Sequence, residues 1–247
     1  DFILCEGTDY TGSLQPFEFD FNAQMANNLG APVIAVINGN GKSVVDVAYT
    51  VQFIKSVFKK EECQHIGVFV NRVRREDQLA ISQFLEKFKT DNEIDFVIPE
   101  IGLLQKLTIR QIVNSLNAKL IYGDQGVLDY DVMGFKIGAM SLENILRYTE
   151  DGTVVITPGD RTDVLVTLFM TLLSDNYPKI AGLILTGGNS PDDAVMKLLN
   201  GVSKIPVAIC RVDTDTYETT MNIQNIKPLL SPDNERRMSL ALGHFEK

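Results

Sequence analysis

Residues 152–188 read GTVVITPGDRTDVLVTLFMTLLSDNYPKIAGLILTGG. Two apolar runs, GTVVITPG (152–159) and IAGLILTGG (180–188), close on glycine-containing turns and flank a helical stretch at about 161–174. Strand, helix and strand at this spacing make a βαβ unit, and its crossover requires parallel strands. Strands this apolar are those of a sheet buried on both faces. In such a sheet the carboxyl ends of all parallel strands lie on one edge, and ligands bind outside that edge.

The same rhythm extends in both directions. AKLIYG (118–123) precedes the unit, and IPVAICRVD (205–213) follows it, with helices expected at about 107–116, 141–149, 191–200 and 214–224. Residues 123–140, rich in Gly, Asp and Met, carry no clear period. Toward the amino terminus the strand runs are FILCEG (2–7), APVIAVIN (31–38), HIGVFVN (65–71) and DFVIP (95–99). Helical stretches lie between them at about 17–29, 43–62 and 75–91. Phe17, Phe21, Met25 and Leu29 recur every four residues and share one helix face. The tail SPDNERRMSLALGHFEK (231–247) reads as a helix capped by Ser231, with Pro232 at its first position.

These patterns predict an α/β chain of two three-layer domains with mostly parallel sheets. The expected division is residues 1–102, residues 103–228, and a linker helix over residues 229–247.

Composition narrows the function classes. The 247 residues carry a formal net charge of −9, which argues against nucleic acid and anionic membrane surfaces as partners. Arg72, Arg74 and Arg75, beside Lys59-Lys60 and Arg236-Arg237, are the tight basic clusters and fit a solvated helix start better than a binding patch. Cys5, Cys63 and Cys210 are odd in number and far apart, which suits a reducing cytoplasm better than a disulfide framework or a zinc site. Cys5 and Cys210, in apolar runs, read as small buried hydrophobes. The two histidines, His65 and His244, form no triad with a serine and an acid, and no catalytic centre is legible.

Three loops gather at the carboxyl edge of the second half: Thr157 to Asp163, Leu185 to Asn189, and Asp213 to Thr216. Their candidate ligand-binding residues are Asp160, Arg161, Thr162, Thr186, Gly187, Gly188 and Asp213. Gly187-Gly188 lets backbone approach a ligand, and Arg161 offers a two-pronged clamp for an oxyanion. The competing reading is structural. Asp160 with Asp163, and Ser190 with Asp193 after Pro191, fit capping boxes, and the glycines fit a tight turn. Asp160, Asp213 and Asp215 as cation ligands is a weaker alternative, and no metal is expected.

NGNGKS (38–43) ends like a Walker A loop, but the position that should hold its first glycine is Val36. A turn with Ser43 as helix N-cap and Lys42 in solvent is the expected structure.

The segment VVITPGDRTDVLVTLFM followed by IAGLILTGG resembles the DRTGG domain, through Asp160-Arg161-Thr162 and Thr186-Gly187-Gly188. ILCEGTDYTG and GVFVNRV resemble the strand-Glu-Gly and strand-Asn segments of dethiobiotin-synthetase-like P-loop domains. Joined by IPEIGLLQKLTIRQIVNSLNAKLIYGD, the pair is similar to the amino-terminal region of long-form phosphate acetyltransferases. The resemblance implies a phosphate loop ahead of Asp1 and a catalytic acyltransferase domain beyond Lys247. It further implies a fragment without cofactor or catalytic residue, serving allosteric regulation and homo-oligomer assembly, with a small-molecule effector as a candidate partner. Glu6, Gly7 and Asn71 would be vestiges of a nucleotide site. The other functions weighed are a free-standing nucleotide- or metabolite-sensing domain and an ATP-dependent ligase of the dethiobiotin-synthetase type.

Overall fold

The computed structural model describes residues 3–8, 15–89, 93–202 and 205–243, without the side chains of residues 15–18. Phe2, the Phe17 side chain and His244 therefore lie outside the described residues. The chain divides into two compact units, residues 1–101 and residues 102–243.

The first unit runs α1 (Gln15–Asn28), β1 (Val33–Asn38), α2 (Val44–Lys60), β2 (His65–Val73), α3 (Gln78–Phe88) and β3 (Phe96–Pro99). Its strands form one parallel sheet in the order β1-β2-β3. Ala35, Ile37, Val68 and Val70 of the sheet pack with Val47, Val51, Ile54 and Phe58 of α2 and with Ile81 and Leu85 of α3. Ile34 and Val36 point the other way along β1 and are exposed.

Two expectations fail here. The apolar run at the start of the chain is not a buried strand: residues 3–8 have no regular structure, and Ile3, Leu4 and Cys5 are exposed. A strand needs a neighbour to bond, and among the described residues β1 has β2 alone for a partner. Thr8 is held by the Asn22 side chain of α1 instead, its Oγ1 donating at 3.3 Å. The helix face carrying Phe21, Met25 and Leu29 is also exposed, and Ala23 is the buried residue among the described side chains of α1. The Phe19 ring lies beside Ala23's face and packs on Phe58 of α2 at 5.3 Å between centroids. Four-residue spacing identifies a shared face; it does not say which face the fold covers.

The second unit runs β4 (Leu107–Thr108), α4 (Ile109–Leu116), β5 (Lys119–Tyr122), β6 (Asp131–Val132), β7 (Gly134–Ile137), α5 (Leu142–Tyr148), β8 (Thr153–Pro158), α6 (Thr162–Leu173), β9 (Gly182–Thr186), α7 (Asp193–Asn200), β10 (Ala208–Arg211), α8 (Thr216–Gln224) and α9 (Glu235–Leu242). The segment without a clear period supplies the short strands β6 and β7. The main sheet has the order β5-β10-β9-β8-β7, parallel except for β5, which is antiparallel to β10.

All five residues of β9 are buried. Side chains alternate between two cores. Val154, Ile156, Ile184, Ala208 and Cys210 face α4 and α8. Val155, Leu183, Leu185 and Ile209 face α5, α6 and α7. This unit is a three-layer α/β/α sandwich. Burial pushes the Cys210 thiol up to about 12, so it packs as a neutral hydrophobe.

The tail helix starts later than its sequence suggests. Asn234, not Ser231, is the N-cap of α9, accepting from the Arg237 N–H at 3.0 Å. Ser231 instead closes a turn in which its carbonyl accepts from Asn234. The shift brings Arg237 inward, where it is almost fully buried. Its guanidinium donates to Asp131 of β6 at 2.8 Å and to the carbonyls of Leu103 and Lys106. Arg236 pairs with the same carboxylate from the surface. Asp131→Ala leaves a buried cation without its anion, so urea unfolding should report a loss of about 3–5 kcal/mol. Arg236→Ala, on an exposed partner, should cost less than about 1 kcal/mol.

Candidate functional site

The parallel order β10-β9-β8 brings the three expected loops to one edge. They are tied together by main chain. The Gly159 N–H donates to the Thr186 carbonyl at 3.0 Å, Gly187 N–H to Thr214 at 2.8 Å, and Gly188 N–H to Val212 at 2.9 Å. Gly187 and Gly188 both adopt left-handed backbone, φ 80° and 69°, which a side chain would strain. Gly159 is constrained differently, because a Cβ there would lie 2.2 Å from the Asn189 carbonyl oxygen. Hydroxyl pairs reinforce the clasp. Thr186 meets Thr216 at 2.8 Å, and Thr214 meets Thr219 at 2.7 Å.

The N–H groups of Gly159, Gly187 and Gly188 are thus committed to the protein's own carbonyls. The side chains of the first loop also bond locally. Arg161 closes a fork on Asp163, Nε at 2.8 Å and NH2 at 2.9 Å, and the Thr162 N–H donates to the Asp160 carbonyl. That fork holds the Asp163 carboxyl below the ordinary carboxylate range. Neither expected capping box forms here. Arg161 is the N-cap of α6 without a side-chain cap bond, and Asp192 rather than Ser190 caps α7 through the Ala194 N–H. Asp163 is drawn to its guanidinium neighbour, and Ser190 to another arginine.

That arginine is Arg211, the last residue of β10, which the sequence reading passed over. Its NH1 donates to Ser190 Oγ at 3.2 Å and its NH2 to Asp213 Oδ1 at 3.3 Å. It therefore links the second and third loops. Its only signal in the sequence is a charge closing an apolar strand two residues before Asp213. Asp215 caps α8 by accepting from Glu218 N–H at 2.8 Å. Among the described residues no group of three or more His, Cys, Asp or Glu side chains is disposed to hold a metal ion.

In the first unit, Lys42 and Ser43 precede α2, and Ser43 caps it. Ser43 Oγ accepts from the Asp46 N–H, while Asp46 accepts from the Ser43 N–H. Hydrogen bonds from Ser43 lower the Asp46 pKa, and its carboxylate occupies the helix start where a phosphate would sit. Gly7 lies against the Asn22 side chain of α1. Asn71 lies at the far end of β2, where its carbonyl accepts from Gly39. Glu6 is exposed.

Comparison with known proteins finds two family matches. Residues 111–226 match the DRTGG domain family, and residues 1–115 match an AAA domain family. A phosphate acetyltransferase of Nitratidesulfovibrio vulgaris is 36% identical over 251 residues, covering all of this chain and 36% of its own length. One from Synechocystis sp. is 34% identical over 249 residues, again covering the whole chain and 35% of its own length. The chain is homologous to the AAA-plus-DRTGG region of phosphate acetyltransferases. It spans about a third of the length of these curated relatives. Among solved structures, it is similar to the CBS and DRTGG domains of the regulatory region of Clostridium perfringens pyrophosphatase, complexed with its activator diadenosine tetraphosphate. The TM-score there is 0.41 at 15% identity, covering 79% of this chain and 74% of that one.

Two outcomes follow for the DRTGG edge. Gly159→Ala should lower the urea midpoint by an amount equivalent to about 1–3 kcal/mol through overpacking. Gly102→Ala, whose Cβ would meet nothing within 4 Å, should leave it unchanged. Because the Asp163 pKa is depressed, its contribution to stability is complete above the ordinary carboxylate value of about 4 and disappears as pH falls through the folded value. Asp163→Asn should therefore flatten the acid-side fall of the urea midpoint, and an unchanged acid limb would contradict the fork.

Proposed function

We propose that the chain is a non-catalytic regulatory and assembly region of a phosphate acetyltransferase. The reaction of the whole enzyme is acetyl-CoA plus phosphate giving acetyl phosphate and coenzyme A. The observation that carries this reading is the full-length match of this chain to about a third of such enzymes. The site chemistry supports it. The Gly159, Gly187 and Gly188 N–H groups of the DRTGG loops are bonded to neighbouring loops, which suits a role in holding those loops together. The start of α2 is closed by the Asp46 carboxylate, which favours this role over ATP-dependent ligation.

In this reading the acyltransferase domain of the parent enzyme makes and breaks bonds in the cytoplasm without a cofactor held by this region. The present chain joins copies into a homo-oligomer and transmits the binding of a small effector. No helix among the described residues is long and apolar enough to cross a membrane. The purified chain should form no acetyl phosphate from acetyl-CoA and phosphate. The parent enzyme lacking this region should retain turnover while losing its response to metabolites or its oligomeric state. Turnover by the chain alone would overturn the proposal, as would a truncated enzyme with unaltered regulation and assembly.

A further inference from the structure

Arg211 meets its carboxylate differently from Arg161 and Arg110. Arg161 grips Asp163 with Nε and NH2 at 2.8 and 2.9 Å. Arg110 grips Asp129 with the same two nitrogens at 2.8 and 3.0 Å, and the Asp129 pKa is lowered accordingly. This fork is the preferred geometry of guanidinium and carboxylate. Arg211 makes half of it. NH2 reaches one oxygen of Asp213 at 3.3 Å, while Nε is buried and has no hydrogen-bond partner. Among the described residues NH1 of Arg237 shares that state, but Arg237 is enclosed, whereas Arg211 lies at the exposed carboxyl edge of the sheet. A buried polar nitrogen left without an acceptor is costly, and native folds rarely retain one without a use. Asp213, whose side chain is 86% exposed, is free to leave.

The surroundings suit an incoming oxyanion. Arg211 ends β10 at the carboxyl edge of the parallel sheet, where ligands of this architecture bind. Ser190 Oγ accepts from Arg211 NH1, so its own proton remains available to a second oxygen. Gly188 borders Asp213, and a Cβ there would meet Asp213 Oδ1 at 3.4 Å, an ordinary contact, so its glycine is required by the backbone at φ 69°.

We propose that Arg211 and Ser190 form a receptor for a small oxyanion, a carboxylate or phosphate group, which displaces Asp213 and completes the guanidinium fork through Nε and NH2. The inference rests on the regulatory reading and names the site at which the effector's anionic group is read. Asp213 acts as an internal competitor that holds the guanidinium until the ligand arrives. No bond is made or broken beyond hydrogen bonds.

The test is calorimetric titration of this chain with inorganic phosphate and, separately, with sodium acetate, against sodium chloride at matched ionic strength. Saturable binding of either anion is expected, and the tighter one identifies a phosphoryl or a carboxylate ligand. Arg211→Gln should weaken binding about tenfold or more, since it removes a charge-assisted fork. Asp213→Asn, which keeps the loop's shape and removes the competitor, should tighten it several-fold. It also keeps the idea testable if Arg211→Gln fails to fold. Absence of saturable binding to both anions overturns the proposal, as does an affinity that Asp213→Asn leaves unchanged or weakens. Because this assay reads the site alone, its failure would leave the regulatory reading to be judged on turnover of the parent enzyme.

Discussion

The structure of the second unit depends on β9. Its residues Gly182–Thr186 are buried between β8 and β10, and side chains leave it alternately toward two helical layers. A strand enclosed on both edges and both faces admits no slip in register, because a one-residue shift would exchange the two cores. Once β8, β9 and β10 run parallel, their connections must emerge on the same edge. Gly159, Gly187 and Gly188 are consequences of that crowding. One avoids a clash with Asn189, and two turn the chain through left-handed backbone.

Of the residues that name the DRTGG domain, Thr186, Gly187 and Gly188 therefore first serve to join loops, while Asp160, Arg161 and Thr162 bond within their own. Thr186 supplies a carbonyl to Gly159 and a hydroxyl contact to Thr216, while the two following glycines donate to the third loop. Such a clasp couples the three loops to one another. Displacing Asp213 from Arg211 would act on loops already coupled to each other, without requiring the sheet to move. The buried Arg237–Asp131 pair gives the same unit a second fixed point, where α9 is fastened to the short strand β6.

How much of this was legible in the sequence varied with how locally it was determined. VVIT and GLILT announced their strands because apolar β-branched runs bounded by Gly and Pro leave few other folds open. Ser43 was legible as a cap because a capping box is written within four residues. Three features required partners distant in sequence. Residues 3–8 have the composition of a strand but no neighbour to bond. The Phe21, Met25 and Leu29 stripe has the right spacing but lies uncovered. Asn234 displaced Ser231 as cap of α9 because Arg237 had to reach Asp131, over a hundred residues away. Arg211 was illegible for a related reason. Its meaning comes from Ser190 and Asp213 on two other loops, and from the absence of a partner at Nε.

Native-state hydrogen exchange at the amides of Gly159, Gly187 and Gly188 tests the central claim most directly. The account predicts slow exchange at all three, approaching that of the β9 core, because each donates to a carbonyl of a neighbouring loop. Exchange at the rate of unprotected surface loops would mean that these donors are open to solvent and ligands, and would contradict the clasp on which the account is built.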